Sequence, residues 1–133
     1  MTIISIDFDG TITEPDSYED FKNKAWRPQP FQKGFLEYMP KLVKLDEYRF
    51  VICTARLKPE DIQNAKDRLK EIDYLKYFYE VTNTKLPASF YFDDRSMPID
   101  WKAFYETVSS TEPFYFAKTY AEKLNKSEEV IHN

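Results

Sequence analysis

Apolar and polar positions alternate along the chain in blocks. Thr2 to Asp7 is a short isoleucine-rich run that stops at Asp7-Phe8-Asp9-Gly10-Thr11, the form of a buried strand ending in a tight turn. From Ile12 to Pro30 the chain is polar, broken by Pro15, Pro28 and Pro30, with Tyr18, Phe21 and Trp26 scattered through it. This predicts a loop or flap over 12–30 containing about one helical turn. Phe31, Phe35, Met39 and Val43 recur every four residues with Leu36 and Leu42 beside them, the spacing of a helix packed by one face. Pro40 is expected to kink that helix or restart it.

Tyr48 to Thr54 reads as a second strand with a continuous apolar stretch, as in a parallel sheet covered on both faces. Pro59 suits a first helical position, Glu60 and Asp61 favour the positive end of the dipole, and Ile62, Ala65, Leu69 and Ile72 mark one apolar face. Tyr77 to Val81 and Ala88 to Phe92 are two further strand candidates, the second running into Asp93-Asp94. Asp100 to Val108 and Pro113 to Leu124 look helical, and residues 125–133 read as a frayed tail. Strands alternating with helices predict an α/β fold, a three-layer Rossmannoid arrangement with a central parallel sheet, helices on both faces and right-handed crossovers. In such sheets ligands gather beyond the carboxyl ends of the strands, where the acids Asp7, Asp9, Asp93 and Asp94 would converge.

Length and composition narrow the function. With 133 residues the chain can build one core and not two, so a single domain over 1–133 is expected. Aromatics make up 17% of residues, which rules out a disordered chain. A net charge of -4 without a long basic block argues against tight nonspecific binding to nucleic acid or anionic membrane, while leaving recognition of a nucleic-acid end open. With neither a long apolar run nor a signal-peptide core, a cytoplasmic location without a membrane span is expected. Cys53 and His132, the lone residues of their kinds, cannot build a zinc site, so any metal must be held by oxygen.

Two carboxylates about 4 Å apart repel by about 4 kcal/mol at an effective dielectric near 20, so a cluster of four calls for a cation. The hard oxygen set fits Mg²⁺. At this point the sequence resembles the haloacid dehalogenase superfamily, whose four motifs occur in order as Asp7-Phe8-Asp9-Gly10-Thr11, Thr54, Lys85 and Asp93-Asp94. The resemblance spans residues 3 to about 100 and implies an Mg²⁺-dependent hydrolase of phosphate monoesters. It makes Asp7 the nucleophile that forms an aspartyl-phosphate, and Asp9 the group that protonates the leaving oxygen and then deprotonates water. Thr54 would donate to a phosphoryl oxygen and Lys85 would neutralise the shared charge. Asp7, the Asp9 backbone carbonyl and Asp93 would ligate the metal, with Asp94 bound directly or through a water. Gly10 permits the sharp turn after the nucleophile; with Thr11, Thr54, Ala55, Arg56 and Lys85 it makes up the expected substrate-binding set.

Blander readings stand beside these. Thr54 and Arg56 could cap the following helix, and Lys85 could be an ordinary surface lysine. A cysteine-phosphatase reading of Cys53 fails because position 59, where that chemistry needs Arg, is Pro59; Cys53 is expected in the core. Tyr18, Trp26 and Arg27 could contact a leaving group or pin the flap to the body. Neither gap after the first or third strand is large enough for the inserted cap of many superfamily members, so an open, capless site is expected. That suits a phosphorylated macromolecule as well as a small ester, and leaves a homo-oligomer that closes the cleft open. Two alternatives are weighed: a phosphatase for 3′-phosphates at nucleic-acid ends, suggested by Asp93 to Arg95 with Trp101, and a receiver-like or non-catalytic phosphate-binding signalling module.

Overall fold

A computed structural model describes residues 2–88, 90–92 and 99–110. It contains β1 (Thr2–Ile6), α1 (Tyr18–Asn23), α2 (Lys33–Leu42), β2 (Tyr48–Cys53), α3 (Pro59–Glu71), a 3-10 turn at Leu75–Tyr77, β3 (Val81–Thr82), β4 (Phe90–Phe92) and α4 (Trp101–Ser110). The sequence-predicted helix over 113–124, the tail over 125–133, and Asp93 and Asp94 lie outside the described residues.

The four strands form one sheet in the order β3-β2-β1-β4, and every pairing is parallel. The fold is therefore α/β, with a four-stranded parallel sheet and helices, consistent with a Rossmann-like arrangement. Because β2 and β4 lie on opposite sides of β1, the chain reverses its direction of travel across the sheet at β1. That reversal is the place where open α/β sheets leave a crevice at the carboxyl edge.

The abundant aromatics supply the core. Phe35 on α2 stacks on Phe31 at 5.8 Å and meets Tyr74 at 5.5 Å and Trp101 at 5.4 Å. Phe104 on α4 lies 5.0 Å from Phe92 and 6.4 Å from Phe50, tying the helix to two strands. The helices α2 and α4 can approach closely because position 34 is glycine. A Cβ added there would lie 2.7 Å from the Cβ of Trp101.

Three expectations need correction. Pro40 does not restart α2, which runs as one helix on to Leu42 with Pro40 inside it. Proline has no N–H to donate to the carbonyl four residues back, and here the Tyr74 hydroxyl supplies the missing donor, 2.7 Å from the Leu36 carbonyl oxygen. The apolar stretch Tyr77 to Val81 is not a strand over its length. Its start closes the 3-10 turn, and only Val81 and Thr82 join the ladder, beside Ile52 and Cys53. Cys53 lies outside the core, half-buried, with its thiol 3.8 Å from the Thr84 carbonyl oxygen.

Candidate functional site

Asp7 leaves the end of β1, and its N–H donates to the Phe92 carbonyl at 2.9 Å, carrying the β1–β4 pairing one residue past the strand. The next residues fold back on themselves. The N–H groups of Thr11, Ile12 and Thr13 all point at the Phe8 carbonyl, at 3.3, 3.0 and 3.2 Å. Gly10 makes this possible with φ of 83°, a conformation costly for other residues. The buried Thr11 hydroxyl has no hydrogen-bond partner, an orphan in a position to accept or donate within this loop.

Gln32, which sequence reasoning did not single out, and Trp101, weighed there only beside Asp93 to Arg95, hold the loop in place. Gln32, at the start of α2, donates to the carbonyls of Gly10 and Thr13 at 3.4 and 3.1 Å. The Trp101 indole N–H is shared between the Thr11 carbonyl at 3.3 Å and the Gln32 side-chain oxygen at 3.2 Å. A polar residue just before a helix was the available signal for Gln32, although it makes no cap hydrogen bond.

Asp9 and Arg56 form the electrostatic centre. The guanidinium grips the carboxylate through two hydrogen bonds, 2.9 Å from Nε and 2.8 Å from an Nη. Asp9 is 7% exposed and Arg56 1%. The other Arg56 Nη donates to the Asp61 carbonyl at 2.7 Å, so Arg56 also satisfies a carbonyl in the first turn of α3. Its face lies 5.1 Å from the Phe8 ring and 5.5 Å from Trp26. Arg68 of α3 stands beside it, 4.8 Å over Phe31, and donates to the Gln29 carbonyl. Burial, helped by the positive charge of Arg56, pulls the Arg68 pKa below its ordinary value.

The flap is therefore pinned rather than free. Its neck is an antiparallel bridge between Thr13 and Phe31, and Trp26 is buried against Arg56 although its backbone has φ of 43°. Such a conformation is strained for a bulky residue and persists only where packing over-determines it. Tyr18, in contrast, is 80% exposed, and Arg27 makes a surface pair with Asp20. Asp16, also on the flap, has its pKa raised by burial and then by the charge of Asp9, which places a second acid within electrostatic reach of the first.

Thr54 follows β2, buried, with its hydroxyl accepting from the Arg56 N–H at 3.2 Å. This bond shapes the turn and leaves the hydroxyl proton available to a ligand. It does not cap α3, whose N-cap is Lys58. Ala55 is exposed on the same turn. Lys85 is exposed on the loop between β3 and β4, with its ammonium 4.5 Å above the Tyr91 ring. Burial and the negative charge of Asp7 push the Cys53 thiol up, while Lys85 pulls it down; nucleophile candidate and lysine thus flank one side chain.

The carboxyl edge therefore gathers Asp7, Asp9, Gly10, Thr11, Thr54 and Arg56. Among the described residues no group of three or more His, Cys, Asp or Glu comes together as a metal cage. The donor chemistry present, a half-buried Asp7 at a strand end and, in the loop that follows, the orphaned Thr11 hydroxyl, fits a hard cation with oxygen ligands. A groove of about 610 Å³ lined by Val43, Arg49 and Tyr79 opens at the opposite, amino-terminal end of β2 and holds none of these residues.

No family model and no curated protein matches this chain. A solved structure of a conserved protein from Bacteroides thetaiotaomicron is similar, with a TM-score of 0.55 at 24% identity over 86% of this chain and 95% of that one. The likeness concerns the fold alone. Among the described residues no helix is long and apolar enough to cross a membrane.

Proposed function

We propose that the chain is an Mg²⁺-dependent phosphohydrolase that cleaves a phosphate monoester through an aspartyl-phosphate on Asp7, as its resemblance to the haloacid dehalogenase superfamily implies. The observation that carries the reading is positional. Asp7 directly follows the strand at which the sheet order reverses, and Thr54 directly follows the strand beside it. On this reading the sheet is covered by helices on both faces, no cap closes the site, and the protein acts in the cytoplasm on a phosphorylated small molecule or macromolecule.

Asp7 attacks phosphorus in line as the bond to the leaving alkoxide oxygen breaks, and water later cleaves the acyl phosphate to return the carboxylate. Asp9 gives the departing oxygen a proton and takes one from the attacking water. Both Asp9 oxygens accept from Arg56, so the proton is carried on a lone pair that the guanidinium leaves free. The Thr54 hydroxyl donates to a phosphoryl oxygen, and Lys85 moves onto the charge shared by phosphate and nucleophile. Asp7, the Asp9 carbonyl, Asp93 and Asp94 are the residues that would hold Mg²⁺, which when bound screens the carboxylates and withdraws charge from the phosphoryl oxygens.

The test is phosphate release from an aryl phosphate and a panel of nucleotides and sugar phosphates, with Mg²⁺ or excess chelator, for wild type and Asp7→Asn. Metal-dependent turnover that disappears in the variant is expected. Turnover that survives in Asp7→Asn sinks the assignment of the nucleophile.

A further inference from the structure

Lys85 sits on a loop that is tied down on both sides of the lysine, at Asn83 and Thr84 and at Leu86 and Ala88. At the β3 end, the Asn83 amide reaches the Leu57 carbonyl at 3.5 Å and the Thr84 N–H donates to the Thr82 hydroxyl at 3.1 Å. The Cys53 thiol adds a weak hydrogen bond to the Thr84 carbonyl at 3.8 Å. At the other end a single side chain does the work. The Tyr91 hydroxyl donates to the Leu86 carbonyl at 2.6 Å and accepts from the Ala88 N–H at 3.0 Å, so it closes the segment immediately after the lysine into a clasp. The ring of the same tyrosine lies 4.5 Å beneath the Lys85 ammonium. Tyr91 belongs to β4 and pairs with Ser5 on β1, two residues before Asp7.

We propose that Tyr91 is a positioning residue for Lys85: its hydroxyl fixes the loop that carries the lysine, and its ring parks the ammonium at the mouth of the site until a phosphoryl group draws it in. The inference rests on the reading of Lys85 as a phosphate-neutralising residue. The energetic order supports it. A cation over a phenol face at an exposed position is weakly held, whereas a charge-assisted hydrogen bond to a phosphoryl oxygen is strong. The ring therefore limits where the lysine waits without competing for it once substrate arrives. The two hydroxyl bonds remain in place during that movement, because they involve only backbone groups of the loop.

Two variants separate the two roles. Tyr91→Phe keeps the ring and removes the clasp; Tyr91→Leu removes both. Tyr91 is 36% exposed on a strand that ends the described sheet, so neither change empties the core. The first readout is steady-state phosphate release in wild-type and Lys85→Ala backgrounds. With Lys85 present, Tyr91→Phe is expected to lower kcat/KM by about tenfold, the loss of a hydrogen-bond pair, with KM for the phosphate ester rising. In Lys85→Ala the same change should have little further effect, because the two residues act through one another. An equal loss in both backgrounds overturns the proposal.

The second readout does not depend on turnover. After reductive methylation with ¹³C-formaldehyde, the Lys85 methyl signal, assigned by its absence in Lys85→Ala, should be shifted upfield by the Tyr91 ring and return to the free-lysine position in Tyr91→Leu. A Lys85 signal at the free-lysine position in wild type overturns the proposal. If wild type hydrolyses no phosphate ester the enzymatic reading fails, and the ring shift alone then decides whether Tyr91 holds the lysine.

Discussion

Replacing Arg56 by Met should cost this protein a large part of its stability. The methionine can retain much of the packing of the arginine stem against Phe8 and Trp26, but it leaves Asp9, 7% exposed, without its counter-charge. Removing one partner of a buried ion pair costs about 3–5 kcal/mol. The hydrogen bond from Arg56 to the Asp61 carbonyl is lost as well, adding about 1 kcal/mol. Against a total stability of about 5–15 kcal/mol, this is about a quarter or more of the whole. The midpoint of thermal unfolding should fall by roughly 10–20 °C. Urea unfolding followed by tryptophan fluorescence suits the question, since Trp26 and Trp101 report on the flap and on the core. The double variant Asp9→Asn, Arg56→Met removes both charges and should recover much of the loss, giving a coupling of a few kcal/mol. A single-variant loss below about 1 kcal/mol, or losses that simply add, would refute the view that this pair is buried and mutually dependent.

Three further changes probe separate parts of the account. Gly34→Ala should destabilise by about 1 kcal/mol on thermal unfolding, because forcing α2 from Trp101 costs about 1–3 kcal/mol against about 1 kcal/mol gained in helix propensity; an unchanged or higher midpoint would contradict the close approach of the helices. For Asp16, burial and the neighbouring Asp9 raise the folded pKa above 3.8, so its contribution to stability is full below that value and lost as pH rises through the folded pKa. Asp16→Asn should therefore be more stable than wild type at neutral pH, with the advantage fading below pH 3.8. Tyr74→Phe should cost about 1 kcal/mol by orphaning the Leu36 carbonyl. Since burial raises the Tyr74 pKa above 10.0, the variant should also lose less stability than wild type as pH climbs past that value, in parallel urea titrations.

The parts of this fold legible in the sequence are those set by local pattern. Isoleucine-rich β1, apolar β2 and α3 with Pro59 in its first turn follow from periodicity and cap chemistry. The short β3 did not, because Tyr77 and Phe78 serve the core from an irregular turn as readily as from a strand. The outcome at Pro40 depended on Tyr74, distant in sequence, supplying a hydrogen-bond donor. The site divides the same way. The turn from Asp7 to Thr11 is written in consecutive residues, with Gly10 at its one positive-φ position. The partnership of Arg56 with Asp9 spans 47 positions, and the hold of Trp101 on Thr11 spans 90. Neither leaves a local signature, so Arg56 read from its neighbours looked like a phosphate ligand or a cap. In the fold it grips the candidate acid–base residue.

The most direct test of the central claim is to quench the protein with acid while it turns over a ³²P-labelled aryl phosphate in Mg²⁺, and to map any covalent label by mass spectrometry. The account predicts a hydroxylamine-labile phosphoryl group on Asp7 that forms within the first turnover and is absent from Asp7→Asn. Steady turnover with no labelled protein, or a label on any other residue, would contradict it.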